Sequence, residues 1–175
     1  MQLPILYYGQ PILRKKCSPV LEINDDIRNF IKDMEDTMKA HNGIGLSAPQ
    51  VGRSIAIFLT SYPIEEPNGT WHQAPPKVYI NPKLSEPSAE MWVYDEGCLS
   101  IPKLYYEVAR PVSILVTAQD INGKEFTERL TGWQARVCMH ENDHLNGVLF
   151  IDRLGIKERH AIDAQLKKIK KQYNP

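Results

Sequence analysis

His140 and His144, with Glu141 directly after the first, constrain this chain more than any other feature. Residues four apart on a helix leave the same face, one turn above the other. If Cys138 to Gly147 is helical, both imidazoles can reach one metal ion and Glu141 can take a proton from its water. The flanking residues favour that helix. Thr131 with Gln134 three positions on predicts a capping box, and Asn146-Gly147 predicts a left-handed stop. Between them, Trp133, Val137, Cys138, Met139 and Leu145 make the segment apolar. A polar trio among such neighbours needs partners, and a metal supplies them.

The remaining composition narrows the classes. A chain of 175 residues with 42% apolar and 24% charged residues suits one catalytic domain spanning residues 1–175. A net charge of zero gives no global attraction to DNA or to a membrane surface. No apolar run is long enough to span a bilayer, and the first residues lack the basic region and cleavage site of a secretory signal. Cys17, Cys98 and Cys138 are too few and too odd in number for a disulfide framework, which points to a reducing cytoplasm.

Along the chain, residues 1 to 22 are punctuated by Pro4, Pro11 and Pro19 and read as irregular. Ile27, Phe30, Ile31, Met34 and Met38 then recur at helical spacing, with Asn24 as cap and Asn42-Gly43 as stop. The glycine-rich stretch Gly43 to Gln50 excludes a regular helix and reads equally well as a plain loop or a ligand-contacting one. Strands are predicted over 54–60, 77–80, 91–94, 105–109, 112–118 and 124–130. Asn122-Gly123 turns the last two into a hairpin, so the sheet is largely antiparallel. Residues 61–76 read as a long loop. Residues 156–173 read as one final helix, with Ile162, Leu166, Ile169 and Tyr173 on its buried face and a lysine-rich opposite face.

A catalytic metal site needs a third protein ligand and an open position. The extended metalloprotease pattern fails, because its last histidine falls on Phe150; a later glutamate leaves only Glu158. Cys138 projects from another face of the same helix, Cys17 has no flanking signature, and Cys98 follows Gly97, which allows close backbone approach. A metalloprotease-like endopeptidase and a non-catalytic module closed around a structural metal remain as rival readings.

Three segments taken in order carry a resemblance: Gly43-Ile44-Gly45-Leu46-Ser47-Ala48-Pro49-Gln50, then Glu96-Gly97-Cys98-Leu99-Ser100, then His140 to His144. Together they resemble the signature motifs of the peptide deformylases, and the likeness runs over essentially the whole chain. It implies an α+β fold in which antiparallel sheets surround the helix carrying HExxH, with a further helix at the C-terminus. The implied activity is removal of the formyl group from the N-terminal formyl-methionine of nascent chains. The implied ligands are Cys98, His140 and His144, holding iron(II) natively, with zinc, nickel or cobalt able to substitute. By the same resemblance Glu141 is the general base, and Gln50 and the Leu99 N–H face the oxyanion. Gly43, Ile44, Gly45 and Leu46 would bind the substrate backbone and the methionine. Glu96 with Arg110, and Asp143, are expected behind the ligands. A monomer is expected, with the basic last helix docking near ribosomal RNA. Ser47, Met139, Lys103 and the 61–76 insertion depart from the common family pattern.

Overall fold

The computed structural model describes residues 1–174. Helix α1 (Asp25–Ala40) forms where the apolar period places it, and Asn24 caps it by accepting from the Ile27 N–H at 3.1 Å. Asp25 and Asp26 lie in its positive first turn. The chain leaves through Asn42, at φ 52, a left-handed step that asparagine tolerates well. One stripe of α1, Ile27 to Met38, packs on Leu46, Ile57, Leu59 and Ile80 in the first of three apolar clusters.

Among the described residues nine strands follow: β1 (Gly45–Ser47), β2 (Ile57–Thr60), β3 (Pro63–Glu65), β4 (Trp71–Gln73), β5 (Lys77–Ser85), β6 (Met91–Cys98), β7 (Ile101–Pro111), β8 (Ser113–Gln119) and β9 (Glu125–Thr131). A five-stranded sheet has the order β1-β2-β5-β8-β9, and β3-β4 and β6-β7 form separate two-stranded ribbons. All these pairings are antiparallel. In β8 every second residue, Ile114, Val116 and Ala118, is buried, the period-two signature of a sheet with one face on a core.

Helix α2 (Gly132–Leu145) lies between the large sheet and the β6–β7 ribbon. Its Ala135, Cys138, Met139 and Leu145 join Phe58, Tyr79, Ile114 and Val116 of the sheet. From the other side Arg136 and His140 reach Val108 and Glu96 of the ribbon. A helix buried on both sides shows little amphipathic contrast, and here the buried polar residues mark the side facing the ribbon. Two short helices close the chain, α3 (Ile156–Ala161) and α4 (Asp163–Tyr173).

Several expectations need correction. Thr131 makes no side-chain cap: it still pairs with Ser113 in the β8–β9 ladder, and Gly132 enters the helix at φ 55, so the expected box with Gln134 does not form. The single helix over 156–173 is broken at Ile162. No residue of α3 is buried, whereas Ile162, Leu166 and Ile169 sink into the third cluster, so only the second segment is drawn onto the core. Residues 61–76 contain the exposed β3–β4 hairpin. β5, β6 and β7 run several residues beyond their predicted limits, because ladder pairing continues where alternation in the sequence fades. Among the described residues no helix is long and apolar enough to cross a membrane.

Gly147 follows α2 at φ 70, and a Cβ there would lie 2.5 Å from the Arg14 carbonyl oxygen. Gly147→Ala should therefore lower unfolding free energy by about 1–3 kcal/mol, read as a lower urea midpoint at unchanged slope. An unchanged midpoint would contradict this packing.

Candidate active site

Cys98 ends β6 just after a register shift in the β6–β7 ladder. The Tyr105 ring packs over this bulge, where a Cβ on Gly97 would stand 2.4 Å from it. This local kink carries the Cys98 thiol to α2, where the His140 and His144 rings lie 5.2 Å apart, centroid to centroid. The donor atoms of Cys98, His140 and His144 all fall within 4.8 Å of one another, and Cys98 Sγ is 3.3 Å from His144 Nε2. Neither other cysteine joins this set; both are buried in the cluster behind α2. Phe150, where the extended protease pattern needs a histidine, instead stacks near His140 at 6.1 Å.

The donors fit a metal. Lone pairs of a thiolate and two imidazoles this close repel one another unless a proton or cation sits among them. One sulfur and two nitrogens form a borderline-soft set suited to divalent iron, zinc, cobalt or nickel, and three protein ligands leave a position for water. Two further atoms of the site lack a partner: Glu141 Oε2 and His144 Nδ1 are buried with no hydrogen bond from the protein.

Behind the donors lies a buried charge network centred on Glu96. Arg110 donates through Nε to Glu96 Oε1 at 2.6 Å and through Nη2 to Oε2 at 2.9 Å. Arg136 adds a bond from Nη1 to Oε1 at 2.7 Å, and His140 Nδ1 lies 3.0 Å from Oε2. With Nδ1–H donating to a carboxylate, the His140 lone pair is fixed on Nε2. Burial alone would raise the Glu96 pKa, but the Arg110 fork and His140 hold it well below the usual carboxylate range. Asp143 touches neither histidine. It accepts from Arg110 Nη1 at 2.9 Å and from Arg153 Nε and Nη2 at 2.8 and 2.6 Å. Its link to the ligands therefore runs through Arg110, not by the direct orientation that its position beside His144 suggests.

On the open side, Glu141 is only 4% exposed. Burial pushes its carboxyl up to about 7, with His140 pulling the other way. Gly45 is obligatory beside it, since a Cβ there would meet Glu141 Oε1 at 2.3 Å. Gln50 is fixed at both ends. Its Oε1 accepts from the Ser47 N–H and hydroxyl, each at 2.9 Å, and its Nε2 donates to Ser100 Oγ at 3.2 Å and to Cys98 Sγ at 3.4 Å. Gly43, Ile44 and Gly45 line a cleft of about 570 Å³ opposite Cys98 and Leu99. Leu46 does not line it: fully buried, it points into the first cluster, because alternate residues of β1 face opposite ways.

The family model described as polypeptide deformylase matches residues 2–160. The chain belongs to the peptide deformylase family. It is 43% identical over 148 residues to the peptide deformylase of Borreliella burgdorferi, covering 85% of each chain. It is 40% identical over 152 residues to that of Synechocystis, covering 87% of this chain and 79% of the relative. Among solved structures, a plant peptide deformylase superposes with a TM-score of 0.87 at 37% identity, covering 98% of this chain and 90% of the other. That of Ehrlichia chaffeensis gives 0.88 at 35% identity, covering 98% and 97%. Family membership makes the chain a deformylase, an enzyme that removes N-formyl groups from nascent peptides in a metal-dependent family, and it carries the α+β deformylase fold.

Arg136, Arg153, Ser47 and Ser100 escaped the sequence reading. For Arg136 a signal existed: it lies four residues before His140, on the ligand face of a helix whose other neighbours are apolar. The part Ser47 plays was invisible because it depends on the 3-10 turn Ala48–Val51 that folds Gln50 back over it. In this deformylase, breaking the Glu96–His140 bond with Glu96→Ala should weaken metal affinity about 10–100-fold. Fluorescence titration of the apoprotein reads this directly, and native affinity in the variant would remove Glu96 from the account.

Proposed function

We propose that residues 1–175 act as one catalytic domain that hydrolyses the formyl amide of N-terminal formyl-methionine, releasing formate and a free amine. The observation that carries this reading is the convergence of Cys98, His140 and His144 beside Glu141, whose Oε2 has no hydrogen-bond partner, in an open cleft. Cys98, His140 and His144 would hold the divalent ion, proposed to be iron(II). Such an ion supplies a Lewis acid that makes water a nucleophile near neutral pH.

The remaining chemistry belongs to side chains and backbone. β1 is the edge of the five-stranded sheet, paired with β2 on one side only. An extended peptide can therefore join it as an added strand, with the glycines at 43 and 45 giving close approach. Ile44, 38% exposed, offers its side chain to the methionine. Glu141 accepts the proton from the attacking water, and the new C–O bond forms at the formyl carbon. As that carbonyl oxygen gains charge, the Gln50 Nε2 and the Leu99 N–H donate to it. The Ser47 contacts keep the Gln50 amide turned the right way, carbonyl inward and amine toward Cys98. Glu141 then passes its proton to the amide nitrogen, the C–N bond breaks, and formate leaves.

The test is formate release from a formyl-Met peptide by oxygen-free, metal-loaded protein. Glu141→Ala should lower kcat by about 10²–10⁴-fold while metal content stays at the native level. Native turnover in Glu141→Ala would defeat the proposed proton path, and no release by the native protein would defeat the reading as a whole.

A further inference from the structure

The rim of the cleft holds a residue that neither the fold nor the proton path uses. Lys103 adopts φ 61, a left-handed conformation that non-glycine residues seldom take, and it lies in the wall of the same cleft as Gly43 to Gly45. Strain of this kind clusters at ligand-contacting positions. A glycine would relieve it, so the backbone does not ask for a lysine.

The wall also carries the exposed Asp95 carboxylate, and among its permanent cations Lys103 stands out. Arg136, the other permanent cation of the cleft, is buried and engaged by Glu96. Lys103 is exposed and enters no ion pair among the described residues. Its distance from Cys98 also suits a ligand. Ile101 is the Cα partner of Cys98, so Lys103, two residues on in the wall of the cleft, is separated by at most about 7 Å of chain from the position facing the thiol. An extended peptide advances about 3.3 Å per residue. A peptide with its formyl group at Cys98 covers that distance within its first two or three residues.

We propose that Lys103 is a specificity-determining residue that favours substrates carrying a carboxylate two or three residues into the chain, the aspartate or glutamate side chain of a nascent peptide. The proposal rests on the deformylase reading above and adds the chemistry of the preferred sequence. A free C-terminal carboxylate on a short peptide offers the same group, so the two sources must be separated by blocking the C-terminus.

The experiment compares kcat/KM for formyl-Met-Ala-Asp-amide and formyl-Met-Ala-Asn-amide, in native protein, Lys103→Gly and Lys103→Glu, at low and high salt. The Asp/Asn ratio within each protein is the readout, so a general loss of activity cancels. Exposed ion pairs lead us to expect a native ratio of about 2–5, carried by KM and shrinking as salt rises. The ratio should fall to about one in Lys103→Gly, whose backbone suits glycine, and below one in Lys103→Glu. The same ratio in all three proteins overturns the proposal while leaving the deformylase reading intact. A preference seen only with the unblocked tripeptide acid also overturns it, assigning Lys103 to free carboxylates. Failure of native protein to deformylate the Asn peptide would bring down the underlying reading itself.

Discussion

Glu96 is the hinge of the structure: one carboxylate, almost fully buried, shared among Arg110, Arg136 and the Nδ1 of His140. An unpaired charge at that depth would be prohibitive, so the ribbon that supplies Glu96 and Arg110 and the helix that supplies Arg136 and His140 must come together in one way only. Arg110 extends the constraint to Asp143, and Asp143 passes it to Arg153 beyond the end of α2. With two carboxylates against three guanidinium groups, the cluster holds its charges in mutual contact. Such networks contribute little net stability compared with apolar packing, but they are costly to break and so define geometry. Here the geometry defined is the direction in which the His140 imidazole points.

The two sides of α2 divide the labour. Toward the large sheet it is an ordinary core helix, with Ala135, Cys138 and Leu145 among Phe58, Tyr79 and Val116. Toward the ribbon it presents Arg136, His140 and His144 at one-turn spacing. The bulge at Gly97 is what lets a strand meet that face with a thiol. Across the cleft, Gly45 lies so close to Glu141 that no side chain fits, and β1 keeps its outer edge unpaired. A wall carrying Cys98, His140 and His144 thus faces a backbone edge, an arrangement suited to holding a peptide end still while a small acyl group is removed.

Much of this was legible in the sequence, for identifiable reasons. His140, Glu141 and His144 advertise themselves because the helical period is local, and α1 was readable from Asn24 through Asn42 for the same reason. β8 and β9 showed their alternation because one face meets the core. What escaped depends on long-range partners. The extension of β5 through Ser85 rests on pairing with β8. The break at Ile162 rests on which residues reach the third cluster. The absent cap at Thr131 rests on its retention in the ladder. Residues alone left the third ligand open among three cysteines and singled out Cys98 only through resemblance; the structure shows the physical reason in the Gly97 bulge. The glycine neighbours of Leu46 hide that its side chain belongs to the first cluster, which strand alternation explains.

The claim beneath all of this is that one cation is held by Cys98, His140 and His144. Cobalt(II) titration of the apoprotein, followed through the thiolate-to-metal charge-transfer band, tests it most directly. The account predicts saturation at one ion per chain, a band lost in Cys98→Ser, and a band retained in Cys17→Ser and Cys138→Ser. A band that survives in Cys98→Ser and disappears in either of the other variants would contradict it.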